Sequence, residues 1–243
     1  EAEGLIARIL ERCDAESDEK LQLSIALGYA LREPGDSMDA VLREAEQLTY
    51  RRKLMIEKSF RSSVINALLS TLAAKSEETE EHAERLQQYC FQIGRIMGIS
   101  AKVLDEMTLF AMLHDIGKVG INDAILRKPG ALSEVEWLEM RKHPEIGFRI
   151  AQNNIDLAPI SEYILSHHER WDGNGYPRGL CGEEIPVPAR ILAVVDAFDA
   201  MTNERIYSKA RTKEEAAAEI KRNAGTQFDP RIATIFVEDV LGL

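Results

Sequence analysis

The sequence predicts an all-α helical bundle, preceded by a small α/β segment and a long connecting helix. From Ser76 onward the apolar residues recur at intervals of three and four, which is the helical period, and no run alternates as a strand does. Between Met38 and Lys75 there is no glycine and no proline, which favours one long helix. Only the first 31 residues carry a strand-like pattern, so the α/β part is small.

The N-terminal segment is predicted to contain a short helix, a strand, a turn and the long helix in that order. Apolar and polar residues alternate over residues 21–27, a turn follows at residues 34–36, and Ser37 is a candidate helix cap. A helix over residues 38–75 would be roughly 55 Å long at ~1.5 Å per residue. That length suits a connector between domains that can also pair with a second copy. Two core helices with a kink near residues 61–63 are the alternative.

Glycine, proline and capping signals divide the remainder into successive helices. One apolar stripe runs over residues 83–97 and ends at Gly98, and the next covers residues 103–113. Ser133, with Glu136 three residues later, forms a capping box that opens another helix. Further helices are predicted at residues 160–165, 190–201 and 213–223, with a loop rich in glycine and proline at residues 172–188.

Composition indicates a globular protein with a buried core. The chain has 243 residues, of which 45% are hydrophobic, enough for one large domain or one domain and a piece of another. We expect no membrane span and no secretory signal, because no apolar run is long enough and charges interrupt the start. The three cysteines are far apart, which predicts reduced thiols and a cytoplasmic location. A net charge of −11 argues against binding a nucleic-acid polymer, although bound cations could still attract a small anion.

All five histidines fall between residues 82 and 168, and each sits where a metal ligand is plausible. Imidazole and carboxylate together suit iron, manganese, zinc or nickel. The set exceeds what one ion normally takes from a protein, so it predicts two ions, a common device for hydrolysing phosphate esters. Its members are His82, His114, Asp115, His143, His167, His168 and Asp196.

The earlier members of this set also have ordinary structural interpretations. Glu78 and His82 are four residues apart and would share a helix face, as many solvated pairs do. His114 and Asp115 end an apolar stretch, where a charged pair is costly unless it is compensated. Either a metal ion or a buried hydrogen bond between the two side chains would compensate them.

The later members are open to alternatives in the same way. His143 precedes a proline and fits a surface position at a helix end. His167 and His168 are adjacent, so on a helix they would point about 100° apart and could serve two ions, or one ion and the substrate. Asp196 lies in an apolar run and must be paired, hydrogen-bonded or metal-bound. Together the seven residues make a stronger case than any one of them.

The loop after the histidine pair is the other candidate part of the site. Its glycines allow the backbone to turn tightly and to approach a ligand closely. Tyr176 within it could pack on a base or position the loop. A plain connecting turn is the alternative, but the loop begins within five residues of the histidine pair.

These motifs in combination resemble the HD-GYP family, a branch of the HD-domain metal-dependent phosphohydrolases. The resemblance runs from about residue 62 to residue 240 and implies an all-α fold. It also implies hydrolysis of the bacterial second messenger cyclic di-GMP to linear pGpG, GMP or both. The segments that carry it are 114–118 (HDIGK), 167–169 (HHE), 175–177 (GYP) and 225–230 (GTQFDP), with His82, His143 and Asp196.

Carried over residue by residue, the resemblance implies roles for these positions. Asp115 would bridge two metal ions, and Glu78 stands where some members hold a third, so we expect two or three divalent ions, iron or manganese. His114, Asp115 and Lys118 would be the catalytic residues. The expected metal ligands are Glu78, His82, His114, Asp115, His143, His167, His168 and Asp196.

The resemblance also implies a set of substrate contacts. Lys118 matches the family's phosphate-contacting lysine, and Arg205 matches an arginine that contacts the substrate. Tyr176 and Lys209 complete the expected contacts. Ser208 stands where the family often carries a basic residue, which puts one phosphate contact in doubt.

The first 58 residues have a weaker resemblance, to the last strand and helix of a GGDEF (diguanylate cyclase) domain. It rests on residues 23–30 and 37–53, and the GGDEF signature is absent, so cyclase activity is not supported. Either the chain begins inside such a domain or the domain has decayed. We therefore expect a GGDEF-like remnant at 1–58 and a phosphohydrolase domain at 59–243.

Two other functions stay open on the sequence alone. The first is an HD-type hydrolase of another nucleotide, of guanosine polyphosphates or of a mixed cyclic dinucleotide; the tyrosine-bearing loop argues against the first two. The second is a non-catalytic sensor that binds the dinucleotide and signals through the long helix. Ser208 keeps this second function open, although no metal ligand is missing.

Overall fold

Helices form the larger of two compact units into which the chain divides, residues 1–67 and residues 68–243. This computed structural model describes residues 67–75, 80–203 and 210–243, and before them residues 8, 9, 12, 30, 37, 38, 41, 42, 45 and 65. Within these ranges there is no strand, only two isolated bridges, Asp172–Cys181 and Ala224–Phe228. The prediction of helices without strands after residue 76 is confirmed for the described part of the chain.

Short and medium helices alternate with single 3-10 turns in the larger unit. Residues 67–75 are helical and precede the first complete element. The elements in order are α1 (Glu80–Ile96), α2 (Ala101–Leu113), a 3-10 turn (Ile116–Gly120), α3 (Asp123–Leu126), α4 (Glu134–Met140), α5 (His143–Gln152), a 3-10 turn (Ala158–Ile160), α6 (Ser161–Ser166), a 3-10 turn (Gly182–Glu184), α7 (Val187–Thr202), α8 (Lys213–Arg222) and α9 (Pro230–Thr234), which continues as a π-helical turn (Ile235–Val240).

Local sequence signals set several helix ends where they were predicted. Gly98 follows α1 with a φ of 70°, a backbone conformation that glycine adopts without strain. Both hydrogen bonds of the capping box between Ser133 and Glu136 are present at the start of α4. Helix α7 begins at Val187, earlier than predicted, because Pro188 lies in the first turn, where its missing N–H is not needed.

The core lies where α1 packs against α2, α7 and the π-helical turn. Tyr89, Phe198 and Phe236 meet edge to face, with ring centroids 5.0 to 5.9 Å apart. Phe198 and Phe236 are fully buried, and each such side chain contributes roughly 1.5–3 kcal/mol of hydrophobic stabilisation. This packing fixes α7, which carries Asp196, against α1, which carries His82.

Most of the predicted N-terminal features lie outside the described residues. They include the strand at 21–27, the turn at 34–36 and much of the helix at 38–75. The continuity of the connecting helix, the GGDEF-like remnant and the boundary after residue 58 stay predictions. Among the helices of the described part, none is long and apolar enough to cross a membrane.

Lys75, at the end of the helical segment 67–75, bonds to the first 3-10 turn and to the residues that follow it. The Lys75 ammonium donates to the carbonyl oxygens of Val119 and Ile121 at 2.8 and 3.2 Å. It also forms an ion pair with Asp123 at 3.0 Å. One partly buried cation therefore fixes this helix end beside the turn that carries Lys118.

The first 3-10 turn packs directly on the start of α5, and Gly117 makes that approach feasible. A Cβ atom at this position would overlap the carbonyl oxygen of His143 and lie 2.6 Å from the backbone nitrogen of Gly147. Only a residue without a side chain fits there. The contact brings the His114–Asp115 dipeptide next to His143.

Gly117→Ala should therefore destabilise the domain, because the new methyl group meets backbone that cannot move aside. We expect a loss of at least ~1–3 kcal/mol in the free energy of unfolding, measured by thermal and denaturant unfolding. Gly120→Ala is the matched control in the same turn, since its Cβ would meet only the side chain of Ile146. Equal melting temperatures for the two variants would contradict this account of the turn.

Candidate metal centre

Two adjacent groups of side chains contain seven of the eight predicted metal ligands. Within each group, one ligand atom per residue lies within 4.8 Å of the others. Glu78, the eighth, lies outside the described residues. The first group is Asp115, His143, His167 and His168, and the second is His82, His114 and Asp196.

Helix ends deliver most of these side chains. His114 caps the C-terminus of α2 and Asp115 follows it, while His143 is the first residue of α5. His167 caps the C-terminus of α6, with His168 next. The two remaining members come from within helices: His82 from the first turn of α1 and Asp196 from the middle of α7.

Asp115 lies between the two groups and presents one oxygen to each. Its Oδ2 atom is 3.2 Å from Nε2 of His114, a member of the second group. Its Oδ1 atom is 2.9 Å from Nε2 of His143 and 3.6 Å from Nε2 of His167. A carboxylate in this position can hold one ion on each side.

Backbone carbonyls fix the orientation of three of the imidazoles. In His114, His143 and His167, the Nδ1 atom faces the carbonyl oxygen three residues earlier, at 3.0, 2.8 and 2.6 Å. Nδ1 therefore carries the proton and donates it, which leaves the lone pair of Nε2 facing the site. This arrangement is typical of histidines that bind metals.

The lone pairs converge where a cation would satisfy them. Nε2 of His143 lies 3.2 Å from Nε2 of His167 and 3.1 Å from Nε2 of His168. Among the described residues, the buried Oδ1 atom of Asp115 accepts no hydrogen bond. The unprotonated Nε2 atoms of His143 and His167 and the anionic oxygen of Asp115 repel one another at this range, and leaving them unpaired in a buried site is costly. The donor set therefore fits a divalent transition metal ion.

Electrostatics keep these groups in the protonation states that metal binding needs. Burial lowers the pKa of His167, and burial with the neighbouring His167 and His143 lowers the pKa of His168 well below its usual value. Burial by itself would raise the pKa of Asp115, but Lys118 and His114 hold it well below its ordinary value. At neutral pH the site thus presents neutral imidazoles at His167 and His168 and an ionised carboxylate at Asp115.

Asp199 orients the imidazole of His82 through a hydrogen bond to Nδ1, on the side away from the site. The sequence analysis missed this residue. Its Oδ2 atom accepts a hydrogen bond from Nδ1 of His82 at 2.7 Å, and its carboxylate also pairs with Arg85. Burial opposes ionisation of Asp199, but these two partners lower its pKa to about 2. Its position three residues after Asp196, on the same helix, is the sequence signal that could have found it.

The loop after the histidine pair is held against the site by Glu169. The two carboxylate oxygens of this buried side chain accept the backbone N–H groups of Arg178 and Leu180 at 2.7 and 3.0 Å. A Cβ at Gly175 would lie 2.5 Å from the Cα atom of Glu169, so the loop packs directly on the segment that carries the histidines. The loop is therefore part of the wall of the site rather than a plain connecting turn.

A cavity of about 530 Å³ opens beside the metal-binding groups. His167, His168 and Asp196 line this cavity together with Tyr176. The Tyr176 ring stacks on His168, with centroids 4.9 Å apart and an interplanar angle of 25°. A volume of this order is typical of small-molecule sites.

The other predicted contacts are placed only in part. The ammonium of Lys118 lies 2.7 Å from Oδ2 of Asp115, so it belongs to the same cluster. Arg205 and Lys209 lie outside the described residues. The surface position considered for His143 is wrong, because the side chain is 2% exposed. His167 and His168 both join the group around Asp115 rather than dividing between the two groups.

The fold and the site together define a helical domain with a candidate metal centre. The HD domain family matches residues 66–232, and the chain belongs to that family. Hydrolases of this class use divalent metal ions, in agreement with the donor set described above.

Curated relatives and a solved structure agree with this assignment. A cyclic di-GMP phosphodiesterase of Thermotoga maritima is 44% identical over 163 residues, covering 66% of this chain and 44% of the relative. The 3'3'-cGAMP-specific phosphodiesterase 2 of Vibrio cholerae is 36% identical over 173 residues, covering 70% and 33%. The chain thus spans less than half the length of either relative.

The crystal structure of a cyclic GMP-AMP specific phosphodiesterase of Vibrio cholerae has a similar fold. The TM-score is 0.56 at 22% identity, over 74% of this chain and 48% of that one. At this identity the likeness concerns the fold alone.

Asp199→Ala should weaken metal binding at the group that contains His82. The imidazole loses the acceptor that sets its orientation, and loss of such a supporting carboxylate typically lowers metal affinity about 10–100-fold. Isothermal titration calorimetry of the metal-free protein with Mn²⁺ measures this change in affinity.

Asp199→Asn is the matched control, because its side-chain carbonyl can still accept from Nδ1 of His82. It should retain most of the affinity. A folded Asp199→Ala protein with the affinity of the wild type would show that the hydrogen bond does not support the ligand.

Proposed function

We propose that this chain is a metal-dependent phosphodiesterase of the HD-GYP branch that hydrolyses cyclic di-GMP in bacterial second-messenger signalling. The observation that carries the proposal is the pair of ligand groups beside the cavity, with Asp115 of the first group in contact with His114 of the second. Two ions a few ångströms apart are suited to phosphodiester hydrolysis. The names of the relatives support the same substrate class, since they are cyclic di-GMP and 3'3'-cGAMP phosphodiesterases.

The two groups would hold two divalent ions, iron or manganese, with Asp115 as the shared ligand. Glu78 lies four residues before His82 and is the candidate ligand for a third ion. When bound, such ions supply an activated water and neutralise the phosphodiester oxygens. His114 and Asp115 would be catalytic in the sense that they hold these ions at the reacting centre.

Lys118 adds positive charge at the point where negative charge develops. Its side chain is 23% exposed, and its ammonium lies at the edge of the cluster beside Asp115. From there it can approach a non-bridging phosphate oxygen and stabilise the transition state electrostatically. Tyr176 would form a wall that holds the substrate against the metal centre. Cleavage of one phosphodiester bond yields linear pGpG, and a second cleavage yields GMP.

The remaining parts of the proposal concern residues or properties outside the described structure. Arg205 and Lys209 would complete the phosphate contacts. The segment 1–58 would be a GGDEF-like remnant, and the connecting helix would pair two copies of the chain. We place the protein in the cytoplasm, in agreement with the free thiols of Cys90 and Cys181.

A mixed cyclic dinucleotide is the second candidate substrate. The observation that favours it is the similarity to three Vibrio cholerae phosphodiesterases named as specific for 3'3'-cGAMP, at 34 to 36% identity. A panel of cyclic di-GMP, 3'3'-cGAMP and cyclic di-AMP, assayed on one preparation, separates the two candidates.

Asp115→Ala is expected to lose both metal and activity. Anaerobically purified wild-type protein should carry two or three equivalents of iron or manganese by elemental analysis and hydrolyse cyclic di-GMP. Because Asp115 faces both groups, its loss should remove more than one equivalent and reduce turnover at least about 100-fold. His114→Ala should also lose activity, with a smaller loss of metal.

Asp105→Ala is the control, since it removes an exposed carboxylate from α2 without approaching the site. Variants of His114 or Asp115 that turn over as fast as the wild type would refute the proposal. A metal-loaded wild type that binds the dinucleotide without hydrolysing it would favour a sensor. Inactive protein that takes up no metal on reconstitution would mean that the seven residues do not form the site.

A further inference from the structure

Four residues of the cavity lining, Trp137, Arg141, Asn174 and Gln227, form what we call its outer wall. The metal chemistry uses none of them. Trp137 lines the cavity and is 52% exposed. An indole that remains half exposed at the mouth of a site loses hydrophobic stabilisation unless a partner covers it. It lines the same cavity as His167 and His168, which are candidate metal ligands.

Arg141 stands beside this tryptophan with its hydrogen-bond donors available. The two residues are four apart at the end of α4, so they share one helix face. The guanidinium of Arg141 lies over the Tyr176 ring, 4.4 Å from its centroid. To the described residues it makes no side-chain hydrogen bond, which leaves its N–H groups for a ligand. Guanidinium groups commonly pair with the O6 and N7 atoms of guanine.

Two side-chain amides complete the wall. Asn174 and Gln227 both line the cavity, and to the described residues the side-chain amide of Gln227 makes no hydrogen bond. Side-chain amides recognise purine edges because they offer a donor and an acceptor side by side. The wall therefore combines a stacking surface, a cation and two amides. Of the two carboxylates that also line the cavity, Asp196 belongs to the second ligand group and Glu169 accepts two backbone N–H groups.

We infer that this outer wall, formed by Trp137, Arg141, Asn174 and Gln227, is the subsite for a purine base of the substrate. Trp137 stacks on the base, and the three polar side chains read its edge. The inference rests on the proposed function for the identity of the substrate, because the phosphodiester must lie on the metal centre while the base reaches the wall. It assigns affinity and base selectivity to residues that take no part in bond cleavage.

Tryptophan fluorescence tests base binding without any need for turnover. The chain contains two tryptophans, Trp137 and Trp171. Metal-loaded protein is titrated with GMP and, in parallel, with ribose 5-phosphate, which offers the same phosphate without the base. GMP should quench the emission saturably and ribose 5-phosphate should not. In Trp137→Phe, where the emission comes from Trp171, most of the saturable quenching should be lost.

Kinetics test the same subsite on the reaction. Trp137→Ala should raise KM for the cyclic dinucleotide about 10-fold or more with little change in kcat, because a stacked base contributes on the order of a tenfold change in affinity. Bis(p-nitrophenyl) phosphate, a phosphodiester without a purine, serves as the reference substrate. The ratio of kcat/KM for the dinucleotide to kcat/KM for the reference should fall by the same factor, and Trp137→Phe should restore most of it.

Leu138→Ala is the matched control, because this neighbour on α4 is 63% exposed and does not line the cavity. An equal loss of kcat/KM on both substrates in Trp137→Ala would overturn the inference, since it would indicate general damage to the site. Absence of saturable quenching of the wild type by GMP would overturn it as well. Saturable quenching in a protein that hydrolyses no cyclic dinucleotide would support the base subsite while refuting the proposed enzymatic function.

Discussion

The buried carboxylate of Asp115 is the constraint that the rest of the domain has to satisfy. An ionised side chain surrounded by protein loses its hydration, and the loss must be offset by nearby positive charge or by a metal ion. Lys118 supplies one cation directly, at 2.7 Å. In His114, His143 and His167, Nδ1 donates to a backbone carbonyl, so these protons point away from the carboxylate. Divalent ions bound at the candidate site would supply the remaining positive charge and would therefore stabilise this arrangement.

Three hydrogen bonds at helix C-termini both satisfy unpaired backbone carbonyls and orient candidate metal ligands. The last carbonyl groups of a helix have no partner within the helix and need a donor from elsewhere. The final turns of α2, α4 and α6 receive such donors from Nδ1 of His114, His143 and His167. Each bond satisfies an orphan carbonyl and at the same time aims Nε2 at the site. The short helices and abrupt turns of this domain are thus the means by which its ligands are oriented.

The junction between α4 and α5 links the metal centre to the outer wall of the cavity. Met140, at the end of α4, accepts the hydrogen bond that orients His143, and Arg141 follows it directly. Arg141 in turn covers Tyr176, which stacks on His168. A displacement of α4 would therefore be felt both by a metal ligand and by the proposed base subsite. The outer wall and the candidate ligand His143 are therefore attached to the same junction between α4 and α5.

The sequence by itself determined the class of fold and the candidate members of the metal centre. Helical periodicity and capping are local properties, so Gly98 and the Ser133–Glu136 box could be read directly, and the scarcity of histidine made the ligand set conspicuous. Only the tertiary structure decided how the ligands divide into two groups, that Asp115 lies between them, and that Asp199 and Glu169 hold them from behind. These relations join residues as far apart as His82 and Asp199, and no local pattern encodes the packing of α1 on α7 that brings them together. The same holds for Trp137 and Arg141, which the sequence marks only as part of an ordinary short helix.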